Sequence, residues 1–274
     1  MGLRQDPRPI GVFDSGVGGL TVLAELRRRL PAESTIYLGD NARAPYGPRS
    51  ADEVRGFTLE STAWLLAQNV KLLVLACNTA TAHALSLVRQ VSTVPVLGVV
   101  RPGAVSAAAS TRARHVGVIA TAGTVASGAY VAAVGEADPE LVVSQLACPE
   151  LVPMVEAGQL SGPVAEATVR GYLGELFGAD PLIDTLLLGC THYPLLRPVI
   201  EEIAGPQVAV VDSAFTTALA TEDLLDALGG RSGGDHPGEN RIVTTGDVAT
   251  FTGVAETVFG AALPSVEQAV VAAV

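Results

Sequence analysis

Two short stretches of the chain share one pattern, and the rest of the fold has to accommodate both. LLVLACNTATAH spans residues 72–83 and LLLGCTHYP spans residues 186–194. In each, an aliphatic run ends in a cysteine, Cys77 or Cys190, and small hydroxyl or amide residues follow. Such a run predicts a buried parallel strand, and the residues just past its end lie where open α/β sheets bind ligands. We therefore expect two similar halves, each presenting one cysteine to a shared small molecule.

Strand and helix signals alternate along the chain and begin again near its middle. IGVF at 10–13, followed by SGVGG, is echoed by HVGVIA at 115–120, followed by TAGT. This alternation predicts an α/β fold with mainly parallel sheets. We predict two similar α/β domains related by a pseudo-twofold axis, with the active site in the cleft between them. The first domain would comprise residues 1–99 plus 213–274, because the last segment is too short for a third domain, and the second residues 100–212.

Composition and charge exclude several classes of function. Hydrophobic residues make up 49% of the chain and charged residues 16%, which leaves ample material for a core. The formal net charge of −11 repels phosphate backbones, so a nucleic-acid substrate is disfavoured. Every apolar run is too short for a membrane span, and the first residues lack the apolar stretch of a secretory signal. The prediction is a cytoplasmic protein that acts on a small molecule and not on a membrane.

The residues also argue against cofactors and metals. Lys71 is the single lysine and opens a strand at the end away from the expected ligand crevice, whereas pyridoxal phosphate needs a lysine for its Schiff base. The four histidines show no metal-ligand spacing. Three cysteines, an odd number, indicate reduced thiols and not a disulfide framework. We predict no cofactor and no metal.

The two cysteines suit one reaction class in particular. A helix predicted after each would stabilise a thiolate at its amino end and lower the cysteine pKa. A thiolate on one face of a carbon can remove its proton while a thiol on the other face delivers one, which inverts the centre without a cofactor. Side chains that could hold a carboxylate follow each cysteine: Asn78 and Thr79 after Cys77, and Thr191 and His192 after Cys190.

Five motifs resemble those of the glutamate racemase family, whose members are cofactor-independent amino-acid racemases that make D-glutamate for peptidoglycan. They are VFDSGVGG (12–19), APYG (44–47), ACNTATA (76–82), PELVPMVE (149–156) and GCTHYPLL (189–196). The resemblance implies a two-domain α/β enzyme with its site in the cleft, commonly a homodimer, that interconverts L- and D-glutamate.

The resemblance also implies a role for each matching residue. Cys77 would act on D-glutamate and Cys190 on L-glutamate, each serving as the acid in the reverse direction. Asp14 and His192 would be auxiliaries beside Cys77 and Cys190, and Glu156 would support His192. The resemblance implies eight substrate contacts: Asp14, Ser15, Tyr46, Gly47, Asn78, Thr79, Thr191 and His192. Ser15, Tyr46 and Gly47 would contact the side-chain carboxylate. Asn78, Thr79 and Thr191 would hold the α-carboxylate and amine.

Other interpretations stay open at the level of sequence. SGVGG could be a phosphate loop, although Thr21 stands where the dinucleotide pattern needs glycine. Asp14 could cap a helix, and Cys148, which has no counterpart in the other half, is interpreted as structural. For function, the alternatives are a racemase for aspartate or another acidic amino acid, a non-catalytic binding protein for such amino acids, and last a nucleotide-dependent enzyme.

Overall fold

The computed structural model describes residues 5–233 and 236–272 and contains two parallel sheets flanked by helices. The strands are β1 (Ile10–Asp14), β2 (Thr35–Gly39), β3 (Leu72–Leu75), β4 (Val96–Gly98), β5 (His115–Ala120), β6 (Val142–Ala147), β7 (Thr185–Gly189), β8 (Ala209–Asp212), β9 (Asn240–Thr244) and β10 (Val266–Gln268). The α-helices are α1 (Leu20–Arg29), α2 (Ala51–Ala67), α3 (Asn78–Val91), α4 (Val100–Ser110), α5 (Ala122–Ala126), α6 (Ala129–Ala137), α7 (Leu151–Glu156), α8 (Pro163–Ala179), α9 (Arg197–Ala204), α10 (Ser213–Leu228) and α11 (Val248–Phe259).

The same strand order occurs in both sheets. The first runs β10-β9-β2-β1-β3-β4 and the second β6-β5-β7-β8, so a four-stranded unit is repeated and β9 and β10 extend the first copy. Every strand pair is parallel. The predicted fold class is confirmed. The domain limits, with breaks near residues 99 and 212, stay a prediction.

Each sheet has a buried centre because its middle strands are apolar on both faces. All residues of β1, β3 and β7 are buried. On the first sheet, α1, α10 and α11 cover one face, and α2 and α3 cover the other. On the second sheet, α4 and α6 pack on one face, and α7, α8 and α9 on the opposite one. Continuous apolar strands between two helical layers are typical of doubly wound parallel sheets.

Local sequence signals explain where several helices begin and end. Ser50 and Glu53 form a reciprocal capping box at the start of α2. Gly229 and Gly260 end α10 and α11 in the left-handed conformation, at φ of 62° and 64°. The chain passes between the sheets twice, through α4 and then through α10, and these two helices pack side by side.

Strand order determines where a ligand site can form. In each sheet the connections leave the two central strands, β1 and β3 or β5 and β7, in opposite directions. This reversal opens a crevice at the carboxyl ends of those strands. Cys77 follows β3 and Cys190 follows β7, so each cysteine lies at the crevice of its own sheet. Within the described ranges, none of the helices has the length and apolar character needed to cross a bilayer.

Candidate active site

A single cavity lies between the carboxyl ends of the two sheets, and it holds both cysteines. Ten of the eleven residues implied by the motifs line it: Ser15, Tyr46, Gly47, Cys77, Asn78, Thr79, Glu156, Cys190, Thr191 and His192. The other lining residues are Gly16, Ala44, Pro45, Thr121 and Val152. The fold thus brings residues from five separated motifs to one place.

The cavity is narrow in this conformation. Its volume is about 30 Å³, which is room for one or two water molecules. Both thiols are buried, Cys77 at 5% and Cys190 at 6% exposure. A substrate the size of an amino acid therefore binds only if the loops of the two sheets move apart.

The groups around Cys77 are either uncharged or acidic. Its sulfur is 3.5 Å from Ser15 Oγ and accepts a hydrogen bond from the Ala80 backbone N–H at 3.4 Å, which makes Cys77 the cap of α3. Burial, and then the negative charge of Asp14, raise the pKa of Cys77 to about 12, against these two hydrogen bonds. The predicted lowering of this pKa by the helix is thus wrong for this conformation, because desolvation outweighs the helix amino end.

Asp14 lies behind Cys77 and not in the cavity wall. It ends β1, is fully buried and does not line the cavity. Its Oδ2 accepts from the Gly16 N–H at 3.0 Å, and its Oδ1 has no hydrogen-bond partner among the described residues. Burial raises the pKa of Asp14, while the nearby His192 opposes the shift. Asp14 therefore does not reach the cavity in this conformation, and its contact with substrate and its role beside Cys77 stay predictions.

Cys190 has a basic neighbour instead. His192 Nδ1 lies 3.8 Å from its sulfur, and His192 Nε2 lies 3.0 Å from Glu156 Oε1. Burial alone would lower the pKa of His192, but the hydrogen bonds to Cys190 and Glu156 outweigh it and raise this pKa to about 10. His192 is thus an imidazolium at neutral pH and can donate to both neighbours. A positive charge therefore lies beside the Cys190 sulfur.

The segment after Cys190 differs from the predicted helix over 194–203. A 3₁₀ helix, Tyr193–Leu196, comes first, and α9 begins only at Arg197. Pro198 explains the break, because it has no N–H for the carbonyl of Pro194 and its ring would collide with that carbonyl in a continuous α-helix. Cys190 therefore lacks the α-helix amino end that Cys77 caps, and His192 takes over the electrostatic role.

The glycine loop after β1 packs directly on the second cysteine segment. A Cβ on Gly18 would lie 2.4 Å from His192 Nδ1 and 2.5 Å from Thr191 Oγ1. Thr21 Oγ1 also reaches the Thr191 carbonyl at 3.2 Å. The glycine at position 18 is therefore required for close approach between the two halves, and this contact places the loop against a histidine and not a phosphate.

The loop that carries Tyr46 and Gly47 closes one side of the cavity. Tyr46 is almost fully buried, and its hydroxyl donates to Asp40, a residue that also accepts from Arg43 and from Thr245 Oγ1. The Gly47 carbonyl accepts from the Gly123 N–H at 3.0 Å, which links this loop to α5 of the other sheet. With its hydroxyl bonded to Asp40, Tyr46 meets a ligand through its ring and main chain.

Polar side chains from both halves meet beside Cys77. Thr79 Oγ1 lies 2.9 Å from Thr121 Oγ1 and 3.2 Å from Thr124 Oγ1. Asn78 Nδ2 donates to the Tyr130 hydroxyl at 2.6 Å. The sequence interpretation missed Thr121, Thr124 and Tyr130. The signal for Thr121 was present, because TAGT follows β5 as SGVGG follows β1, so Thr121 is the counterpart of Ser15.

The third cysteine, Cys148, does not reach the cavity. Cys148 is fully buried outside the cavity wall, and burial raises its pKa to about 12. In residues 5–233 and 236–272, no group of three or more His, Cys, Asp or Glu side chains is arranged to hold a metal ion. Cys77, Glu156, Cys190 and His192 line the cavity and can take part in acid–base chemistry.

Comparison with known proteins finds similarity to amino-acid racemases. The sequence profile of the Asp/Glu/Hydantoin racemase family matches residues 10–221. A glutamate racemase from Oceanobacillus iheyensis is 50% identical over 252 residues, which is 92% of each chain.

Solved structures agree with this similarity. A glutamate racemase isoform from Bacillus anthracis superposes with a TM-score of 0.90 at 41% identity, covering 97% of each chain. A glutamate racemase from Francisella tularensis in complex with D-glutamate has a TM-score of 0.89 at 34% identity and covers 97% of this chain and 98% of its own.

Proposed function

Because this chain belongs to the Asp/Glu/Hydantoin racemase family, among its glutamate racemases, we propose that it inverts glutamate with Cys77 and Cys190 as two opposed acid–base groups. The observation that supports this most is the single cavity, lined by both sulfurs, between the ends of β3 and β7. The substrate is taken from the relatives, which are named as glutamate racemases, one of them in complex with D-glutamate.

The two environments assign the starting protonation. Cys77, whose pKa is raised to about 12, carries a proton at neutral pH. Cys190 lies beside the positive charge of His192. We therefore assign Cys190 the role of the base toward L-glutamate and Cys77 the role of the acid.

The reaction moves one proton off Cα and one proton on. The Cys190 thiolate takes the Cα proton, and the electron pair stays on Cα and its carboxylate. The Cys77 thiol then gives its proton to the opposite face, which yields D-glutamate, a Cys190 thiol and a Cys77 thiolate. The D-to-L direction is the reverse. Closure of the cavity around the substrate excludes water, which favours transfer between positioned groups over exchange with solvent.

The remaining residues bind and orient the substrate in this proposal. Thr79, Thr121 and Thr191 offer hydroxyl donors for carboxylates, and Asn78 offers a carboxamide for the α-amino group. His192 adds a positive charge in a protein of net charge −11. Ser15 and the loop with Tyr46 and Gly47 would face the side-chain carboxylate. Asp14 and Glu156 would act through Cys77 and His192 and not on the substrate.

Racemisation in deuterated water tests the proposal. The product enantiomer should carry solvent deuterium at Cα, and Cys77→Ala or Cys190→Ala should abolish racemisation. Cys148→Ala is the matched control, because this buried thiol lies outside the cavity, and it should retain turnover. Racemisation that persists in either of the first two variants would remove the two-thiol mechanism.

The biological setting is a further proposal that rests on the family resemblance. We propose that the enzyme works in the cytoplasm, commonly as a homodimer, and supplies D-glutamate for peptidoglycan. Depletion of the enzyme should stop cell-wall growth unless D-glutamate is supplied, and light scattering should give the mass of two chains. Growth of depleted cells without added D-glutamate would contradict the role in peptidoglycan supply. A monomer mass at working concentration would contradict the homodimer.

A further inference from the structure

Tyr130 contacts the segments of both cysteines although it does not line the cavity. It lies on α6 and is fully buried. Its hydroxyl accepts from Nδ2 of Asn78, the residue after Cys77. Its ring packs against Gly189, the residue before Cys190, where an added Cβ would lie 2.8 Å from Tyr130 Cε2. One side chain therefore connects the end of β3 to the end of β7.

The bond to Tyr130 determines which end of the Asn78 carboxamide is free. Asn78 lines the cavity and is 2% exposed. Its Nδ2 is engaged by Tyr130, whereas its Oδ1 is buried with no hydrogen-bond partner among the described residues. A buried acceptor without a donor destabilises a protein unless a ligand supplies one. The α-ammonium group of an amino acid carries N–H donors of the kind that Oδ1 lacks.

The Tyr130 hydroxyl is the acceptor for the Asn78 carboxamide. Burial raises the pKa of Tyr130, so the group stays a neutral hydroxyl. Its oxygen accepts from Asn78 Nδ2. Rotation of the carboxamide by half a turn would turn Oδ1 toward Tyr130, where it is no longer free to accept from a ligand.

We propose that Tyr130 is a positioning residue that holds Asn78 Oδ1 free to accept an N–H from the α-ammonium group of the substrate. The proposal rests on the proposed function for the identity of the substrate, and it assigns Tyr130 no contact with the reacting atoms. Because the α-ammonium group is common to both enantiomers, Tyr130 should affect the binding of L- and D-glutamate equally.

The test compares two ligands that differ only in the amino group. Calorimetry in a Cys77→Ala background, which should not racemise the ligand, measures the affinity with and without Tyr130→Phe for D-glutamate and for glutarate, the dicarboxylate without the amine. Loss of a hydrogen bond to a charged donor predicts about tenfold weaker binding of glutamate, and glutarate should change by less than about twofold. In the Asn78→Ala background, Tyr130→Phe should have no further effect on glutamate.

Controls separate positioning from simple stabilisation. Tyr172→Phe removes a hydroxyl that bonds to Glu150 at the surface, and it should leave both affinities unchanged. NMR contacts between the Asn78 side-chain NH₂ protons and the Tyr130 ring test the carboxamide orientation without any substitution at Tyr130, so the proposal remains testable if Tyr130→Phe does not fold; absence of these contacts would overturn it. Equal weakening of both ligands, unchanged binding of glutamate, or an undiminished effect in the Asn78→Ala background would overturn it. These affinities do not depend on turnover, so their failure is distinct from a failure of the racemase mechanism.

Discussion

The Cys77 and Cys190 sides of the cavity come from the same repeated unit but differ in charge. Cys77 has Ser15 Oγ at 3.5 Å, the α3 amino end and the buried Asp14 behind it. Cys190 has His192 at 3.8 Å, which Glu156 orients from its other side. One side has a thiol of raised pKa and the other carries a positive charge. Duplication thus gave two equivalent positions, and local substitutions gave them different electrostatic surroundings.

Thermodynamics limits how this difference can appear in kinetics. The two enantiomers have equal free energy in water, so kcat/KM must be the same in both directions for any variant. Damage to either side therefore lowers both values equally, and a difference between the two directions shows only in separate kcat and KM values and in exchange. The size of the loss in kcat/KM still shows how much each neighbouring group contributes, from the largest expected effect to the smallest.

Removal of one sulfur should reveal which face it serves. Cys77→Ala and Cys190→Ala should each lower racemisation by more than about 10³-fold, the scale of general acid–base catalysis. The cysteine that remains can still remove the Cα proton of the enantiomer on its own side and return a solvent proton to the same face, without inversion. In deuterated water, Cys77→Ala should introduce deuterium into L-glutamate alone and Cys190→Ala into D-glutamate alone, as read by chiral chromatography with mass spectrometry. The opposite pattern would reverse the assignment of faces.

Loss of the imidazolium should weaken the Cys190 side and change the pH profile. The pKa of His192 is raised to about 10, so its charge is present below that pH and lost above it. Wild-type kcat/KM should therefore fall as the pH rises through about 10. His192→Asn should lower kcat/KM by about 10²-fold and remove this basic limb. A basic limb that is unchanged in the variant would show that another group causes it.

Removal of the charge behind Cys77 should bring the two sulfurs closer in reactivity. Asp14 raises the pKa of Cys77, so Asp14→Asn should lower that pKa and increase the thiolate fraction. At pH 8, iodoacetamide should modify Cys77 slowly in the wild type, because burial and Asp14 raise the pKa of its thiol. In Asp14→Asn, modification of Cys77 should speed up by about tenfold, one pKa unit, as followed by peptide mass spectrometry. An unchanged rate at Cys77 would mean that burial alone determines its pKa.

The smallest effect is expected from the Ser15 hydroxyl. Its distance from Cys77 Sγ, 3.5 Å, indicates a weak hydrogen bond. Ser15→Ala should therefore lower kcat/KM by only about threefold, measured beside Ser86→Ala, which removes an exposed hydroxyl on α3 outside the cavity wall. A loss comparable to that of His192→Asn would mean that the Cys77 side depends on its hydroxyl as strongly as the Cys190 side depends on its imidazolium.

The sequence predicted the frame of the molecule well because strands and cysteines have local signals. Apolar runs that end at Asp14, Cys77 and Cys190 determine which residues reach the crevices, and strand order then brings them together. The α-helix after Cys190 begins at Arg197 and not at Pro194, because Pro198 interrupts the hydrogen bonds of the preceding turn. The buried place of Asp14, away from the cavity wall, depends on packing by the glycine loop, which has no local signature.

Contacts between the halves lay beyond the sequence for a different reason. Tyr130 is one tyrosine on an ordinary helix, and only the docking of the two sheets brings its hydroxyl to Asn78. The pKa of Cys77 likewise depends on the desolvation of a closed cavity, which outweighs the helix amino end that the sequence did indicate. Long-range packing, and not residue type, decides both.

A crystal structure of the enzyme with D-glutamate in the cavity would test the central claim most directly. The account predicts Cα between the two sulfurs, with Cys77 Sγ and Cys190 Sγ on opposite faces and each within roughly 3.5 Å, a distance at which proton transfer is in reach. Both sulfurs on one face of Cα, or one of them separated from it by protein atoms, would contradict it.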